Sequence, residues 1–272
     1  MEAVEVAAEE GERGKQDDDE GKPEERARHP ASVEARAVAV QTSSRVASMA
    51  AGRLFVGTSG FSYPTWRGAF YPERMRPDDF LAFYATRFPS VELNTTFRKL
   101  PSEAQFETWA AATPPEFRFS VKMTQRITHF GRLDGIQTFC EHARALGPKL
   151  GPILVQFPPT RPRDDGLLEL FLGSVDPELA YAFEFRHESW DGVDDVLADA
   201  GAARVGALDG AAPFRYLRLR EPPYDEAALT MWAERLRPVL AGGADVYCYF
   251  KHEDEPSAPA YAKRLKELLT PA

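Results

Sequence analysis

From Leu54 onward the chain alternates between short apolar runs of strand character and longer stretches whose apolar residues recur at helical spacing. Strand-like runs occupy residues 54–58, 91–97, 117–123, 152–157, 180–186, 204–209, 215–220 and 245–250. Helical spacing marks residues 77–88, 102–112, 136–146, 165–172, 193–200, 225–240 and 258–269. Ser102 and Asp225 stand where helices need an N-cap, and Gly147, Gly201 and Gly242 fall where helices should stop. The link Gly210-Ala-Ala-Pro213 is too short for a helix. Eight βα units without a Gly-rich nucleotide loop predict an α/β fold: a (β/α)8 TIM-type barrel, slightly irregular, with the helix missing between strands six and seven.

Period-two alternation within these strands assigns each side chain to one of two faces. The parity that sends aliphatic and aromatic residues toward the helices leaves an inward set of Glu92, Asn94, Ser120, Lys122, Gln156, Glu184, Arg186, Arg218, Tyr247, Tyr249 and Lys251. Barrel interiors are ordinarily filled by Val, Ile and Leu, so this lining is unusually polar. Buried charges must pair with one another or meet a ligand, because an unpaired buried ion costs several kcal/mol. Internal pairing would join Glu184 to Arg218 and Glu92 to Lys122. Against Glu92 and Glu184 stand the cations Lys122, Arg186, Arg218 and Lys251, and this surplus favours an anionic ligand. Arg220, Lys251 and His252 lie where barrels commonly hold phosphate, after strands seven and eight.

Composition changes this picture at one end of the chain. Residues 1–50 hold no Phe, Tyr or Trp and carry seven basic against twelve acidic residues, −5 of the formal −9, which leaves the remainder at −4. That stretch is expected to be a disordered acidic extension, with Met49 as an alternative start, and residues 53–272 to be a single barrel domain. The two cysteines, Cys140 and Cys248, suit a reducing cytoplasm, and no apolar run reaches the roughly 20 residues of a membrane span. An acidic chain argues against coating nucleic acid with its whole surface.

Five blocks in order resemble a known family: Gly57-Thr-Ser-Gly60, Val91-Glu-Leu-Asn-Thr-Thr-Phe97, Ile127-Thr-His129 with Arg132-Leu133, Gly151-Pro-Ile-Leu-Val-Gln-Phe-Pro-Pro159, and Arg186-His-Glu-Ser-Trp190. They are similar to the signature blocks of the YecE-like family, domain of unknown function 72, over Arg53 to about Leu269. The resemblance implies a TIM-type barrel of unassigned activity. Phe61, Arg98, Arg220-Glu221 and the run Tyr249-Phe-Lys-His-Glu-Asp254 depart from the family's usual residues, mostly in the loops after strands seven and eight.

His187, directly after the fifth strand, and His129, after the third, are candidate general acids or bases, since imidazole titrates near neutrality. Glu92 and Glu184 are candidate catalytic carboxylates of a glycosidase pair, or ions pinned by Lys122 and Arg218. Substrate binding falls to Arg186, Lys122, Arg218, Asn94, Gln156, Trp190, Ser59, Tyr249 and Lys251. Tyr63, Trp66, Trp190 and Tyr224 offer stacking faces, or serve as loop anchors. Gly57-Thr-Ser-Gly60 suits a tight turn or a phosphate cradle, and Phe157-Pro-Pro159 a stiff loop with a candidate cis bond. No cofactor is predicted: His129, Glu184, His187, Asp209 and His252 are metal-capable but lack a diagnostic spacing. The expectation is a hydrolase-type enzyme acting on a small anionic, phosphorylated or nucleotide substrate. The alternatives are a binding module for a phosphate-bearing ligand or single-stranded nucleic acid, and a metal-dependent phosphoesterase or nuclease.

Overall fold

The computed structural model describes residues 50–251 and 256–270. The expectations for the acidic extension and for a start at Met49 fall, Ala50 aside, outside the described residues, as does His252. Among the described residues eight strands form, β1 Leu54–Thr58, β2 Ser90–Leu93, β3 Arg118–Lys122, β4 Leu150–Gln156, β5 Tyr181–Glu184, β6 Ala203–Arg204, β7 Phe214–Leu219 and β8 Asp245–Phe250. The helices among them are α1 Phe80–Ala85, α2 Glu103–Ala111, α3 Gln125–Thr128, α4 Ile136–Arg144, α5 Asp165–Ser174, α6 Asp194–Asp199, α7 Glu226–Ala241 and α8 Ser257–Leu269. Every strand pairing is parallel, in one sheet ordered β1-β8-β7 and another ordered β2-β3-β4-β5-β6. The fold is therefore mixed α/β with parallel sheets.

The caps form as the sequence implies: Ser102 Oγ accepts from the Gln105 N–H and Asp225 Oδ1 from that of Ala228. The expected strand over 91–97 ends at Leu93, because Thr95–Phe97 turns into a 3-10 helix and the Thr96 hydroxyl donates to the carbonyls of Leu93 and Lys122. The expected strand over 204–209 shrinks to two residues. Gly206 takes φ 93°, which ends the extended run. Beyond it the Arg215 guanidinium donates to the carbonyls of Leu208, Gly210, Ala212 and Phe214, standing in for the missing helix. A cavity of about 620 Å³ opens beside that loop, lined in part by Arg204, Asp209 and Arg215. The cis bond lies at Pro222–Pro223 rather than within residues 157–159.

The two strand parities separate cleanly. Val56, Val91, Val121, Val155, Phe183 and Leu217 join helix residues such as Phe80, Phe139 and Leu236 in the larger core. Phe55, Leu154, Ala182, Phe214, Tyr216, Tyr247 and Tyr249 form a second, smaller core on the other side of the strands. Its floor is aromatic, with Phe55 stacked on Tyr247 at 4.6 Å. Above it the Tyr249 hydroxyl meets Ser90 Oγ at 2.6 Å and Ser120 Oγ at 2.8 Å.

At the seam between β1 and β2 a side chain replaces a rung of backbone hydrogen bonds. The Thr58 N–H donates to the Tyr84 hydroxyl at 2.8 Å, and that hydroxyl donates to the Ser90 carbonyl at 3.1 Å. The strands approach so closely here that a Cβ at Gly57 would collide with the Ser90 carbonyl oxygen. Backbone bonding resumes one step on, where the Gly60 N–H donates to the Glu92 carbonyl at 2.8 Å. At the other seam the Gly206 N–H donates to the Tyr216 carbonyl at 2.9 Å. Tyr84→Phe orphans the buried Thr58 N–H and Ser90 carbonyl together and is expected to lower the unfolding free energy by roughly 1–3 kcal/mol in urea denaturation. A loss below about 0.5 kcal/mol would show that the seam closes without the hydroxyl.

Candidate functional site

Above the tyrosine and serine layer, the C-terminal ends of β2, β3, β4, β5 and β7 each deliver one polar side chain of the inward parity: Glu92, Lys122, Gln156, Glu184 and Arg218. Arg218 is the centre. Its Nη2 and Nε donate to Glu92 Oε1 at 2.9 and 3.2 Å, and its Nη1 donates to Glu184 Oε2 at 2.5 Å. The pairing expected between Glu92 and Lys122 does not occur, because Arg218 occupies Glu92 Oε1 while Tyr216 donates to Oε2 at 2.8 Å. Ser59 Oγ also donates to Glu92 Oε1 and accepts from Asn94 Nδ2. Lys122 Nζ turns instead to Gln156 Oε1, at 2.8 Å.

Burial alone would raise both carboxyls, but the adjacent Arg218 charge and the hydrogen bonds they accept hold Glu92 and Glu184 below the ordinary carboxylate range. Carboxylates held ionised cannot deliver a proton near neutral pH, so neither has the protonation state a glycosidase acid requires. They serve as the negative frame on which the cations are hung.

The cations are graded by depth. The Arg218 side chain is 2% exposed, Arg186 28% and Arg220 36%. Arg186 Nε and Arg220 Nη1 donate to Glu184 Oε1 at 3.2 and 3.0 Å. Three cations converge on one neutral atom: Gln156 Oε1 receives Lys122 Nζ, Arg186 Nη2 at 2.9 Å and Arg218 Nη1 at 3.5 Å. Burial first, then Arg218, pushes the Lys122 amine down to about 8.

His129 is brought to this cluster and His187 is not. The His129 imidazole is depressed by burial and then by the charges of Lys122, Arg186 and Arg161, so it is neutral at neutral pH. Its Nδ1 meets Thr128 Oγ1 at 2.8 Å, and its ring packs edge-on against Phe97 at 4.9 Å. His187 caps a 3-10 turn instead, its Nδ1 bonded to Ser189 N and Oγ. Trp190 is fully buried against Phe185, and its Nε1 donates to the Arg161 carbonyl at 3.0 Å, so it anchors a loop rather than facing a ligand. Trp66 is buried as well, and Tyr249 lies in the layer beneath the charges. Lys251 continues β8, its N–H on the Leu219 carbonyl at 2.8 Å. In the turn Gly57–Gly60 the N–H groups of Thr58, Ser59 and Gly60 go to Tyr84, Phe250 and Glu92, which leaves no nest of donors for phosphate.

Arg161 escapes the parity argument because it sits on the loop after β4. Its Nη2 donates to the His129 carbonyl at 2.9 Å, and its buried Nε has no hydrogen-bond partner among the described residues. The run Arg161-Pro-Arg163 just past a strand end is the signal that could have found it. No group of three or more His, Cys, Asp or Glu among the described residues is placed to hold a metal ion, and none of their helices is long and apolar enough to cross a membrane. The cavity beside Arg215 lies apart from these charges, and its lining shows no comparable convergence.

Lys122 predicts a pH signature. Between pH 8 and the ordinary lysine value of 10.5 the folded chain has released this proton while the unfolded chain still holds it. Stability therefore rises with pH across that window. Measured as the difference between wild type and Lys122→Met, the unfolding free energy should climb from pH 8 to 10 and flatten below pH 7; equal slopes in the two proteins would mean an unshifted amine.

A sequence profile described as "Protein of unknown function DUF72" matches residues 55–272. UPF0759 protein YecE of Escherichia coli (strain K12) is 32% identical over 139 residues, 49% of this chain and 48% of YecE. UPF0759 protein YunF of Bacillus subtilis (strain 168) is 27% identical over 150 residues, 50% of this chain and 52% of YunF. The chain thus spans about half the length of the curated relatives it matches. A DUF72 family protein from Thermotoga maritima MSB8 superposes with a TM-score of 0.71 at 26% identity, over 80% of this chain and 99% of that one. A DUF72 family protein from Enterococcus faecalis V583, at TM-score 0.68 and 18% identity over 80% and 98%, shares the fold. With the profile running from the first strand to the C-terminus, this chain belongs to the DUF72 family.

Proposed function

We propose that the two sheets are arcs of one closed (β/α)8 barrel, and that the protein is an enzyme acting on a small anionic substrate at the C-terminal ends of its strands. Closure is supported by the bonds at both seams, through Tyr84 and Gly60 on one side and Gly206 on the other. The observation that carries the substrate class is the convergence of Lys122, Arg186 and Arg218 on the single oxygen of Gln156. Around it Lys122, Arg186, Arg218 and Arg220 stand against only the carboxylates of Glu92 and Glu184, and a carboxylate or phosphate group would complete the set. Arg220, on Glu184 and more exposed than Arg186, extends the same set of cations outward.

Proton transfer on the bound anion falls to neutral His129 rather than to Glu92, Glu184 or His187. Two free, buried thiols support a reducing, cytoplasmic setting. The buried Trp66 and Trp190 weigh against stacking of single-stranded nucleic acid.

Phosphate and small carboxylates should raise the melting temperature of the full-length protein at constant ionic strength. At one hundred times Kd the stabilisation amounts to about 2.7 kcal/mol. Arg186→Ala, which removes a partly exposed side chain, should abolish that shift while leaving the ligand-free melting temperature within a few degrees. If no anion stabilises the wild-type protein, or if Arg186→Ala responds as the wild type does, the site is a self-satisfied ion network and the proposal fails.

A further inference from the structure

Lys122 differs from its neighbours in one respect that a simple anion site does not explain. Arg186, Arg218 and Arg220 each contact Glu92 or Glu184, whereas Lys122 makes no ion pair with a carboxylate among the described residues. Lys122 is buried at the end of β3, its amine bonded to a neutral amide oxygen and seated 4.0 Å from the centroid of the Phe97 ring. An arginine at this depth would remain charged and inert, whereas a lysine can be driven to the free amine by burial and a neighbouring cation. Both conditions are met here.

We propose that Lys122 is a carbonyl-condensing residue, whose Nζ forms an iminium with an aldehyde or ketone that carries a carboxylate or phosphate group. The inference rests on the anion-binding reading above, which supplies the grip on the charged end of the substrate through Arg186 and Arg220. The nitrogen lone pair attacks the carbonyl carbon, the C–N bond forms, and the carbonyl π electrons move to oxygen, which takes a proton. The resulting carbinolamine loses its hydroxyl as water while nitrogen supplies the electrons for the C=N bond. Overall, ammonium plus carbonyl becomes iminium plus water, with charge conserved and no oxidant or reductant. The cation persists from ammonium to iminium, so the face of Phe97 and the oxygen of Gln156 stabilise both. Neutral His129, packed against the edge of the same Phe97 ring, is the group suited to take the proton that the Lys122 ammonium gives up before attack and, as imidazolium, to return it to the departing hydroxyl. An amine lowered to about 8 is half free at pH 8. An ordinary lysine at that pH is free only to a few parts in a thousand, a difference of roughly a hundredfold.

The test is reductive trapping. Full-length protein is incubated at pH 8 with glyoxylate, pyruvate or glyceraldehyde 3-phosphate and cyanoborohydride, then analysed by intact mass and peptide mapping. The expected result is one reduced adduct per chain on the peptide bearing Lys122, formed at least about tenfold faster than on surface lysines, in line with the free-amine advantage. Excess inorganic phosphate should suppress it. Lys122→Arg should abolish the adduct; should that variant not fold, site mapping and phosphate competition in the wild type decide the matter. Adducts spread over surface lysines, or none on Lys122 in a protein that phosphate does stabilise, would overturn the condensation and leave the anion site standing. Trapping on Lys122 in a protein that phosphate neither stabilises nor protects would support the condensation and remove the anion site.

Discussion

A single guanidinium bound by two carboxylates organises the polar interior. Arg218 is buried with Glu92 from β2 and Glu184 from β5, and each of the three needs the other two, since an uncompensated charge at that depth costs several kcal/mol. The planar fork suits this task because it can face two carboxylates at once, which a lysine ammonium cannot do with the same geometry. Once Arg218 is fixed, so are Ser59, Asn94 and Tyr216 around Glu92, and Arg186 and Arg220 around Glu184. The ionisation states follow as well, with carboxylates kept charged and the Lys122 amine, which meets a neutral amide, pushed toward neutrality.

Depth then separates roles that the residue types alone do not. The inner triad is sealed, so its charges feel one another at low effective dielectric and little of the bulk salt. Arg186 and Arg220 stand nearer to water, where exchanging solvent for a ligand is inexpensive. Lys122 lies between these ranks, with the Phe97 face beneath its amine. This ordering, from sealed ion pair to half-shielded amine to outer guanidinium groups, brings the ends of several strands to one place.

Most of this was legible in the residues. Period-two parity assigned the charged and amide strand residues of the cluster, because parallel strands covered by helices leave a side chain only two directions, although the inward set lacks Tyr216, which shares that face and bonds Glu92. The Glu184 to Arg218 pair followed from that assignment, but Glu92 to Lys122 did not hold, since parity says which face a side chain occupies and not which of two nearby cations wins. Hydrogen-bond capacity decided it: the arginine fork reaches Glu92 and Glu184 together. His187 and Trp190 lie beyond the end of β5, where the chain turns and strand periodicity no longer specifies direction. Arg161 was missed for the same reason. The truncation of β6 traces to one glycine φ and to carbonyls collected by Arg215, features that apolar patterning does not encode.

The hydroxyl of Tyr84 at the junction of β1 and β2 has an evolutionary consequence. A backbone rung is common to all sequences and cannot be altered by substitution, but a rung supplied by a side chain is under direct genetic control. Exchange of this one residue on α1, together with relief of the crowding at Gly57, can change the spacing of two strands whose next step carries Ser59 and Glu92. A substitution on a helix behind the sheet can thereby shift Ser59 against Glu92 without touching any of the charged side chains.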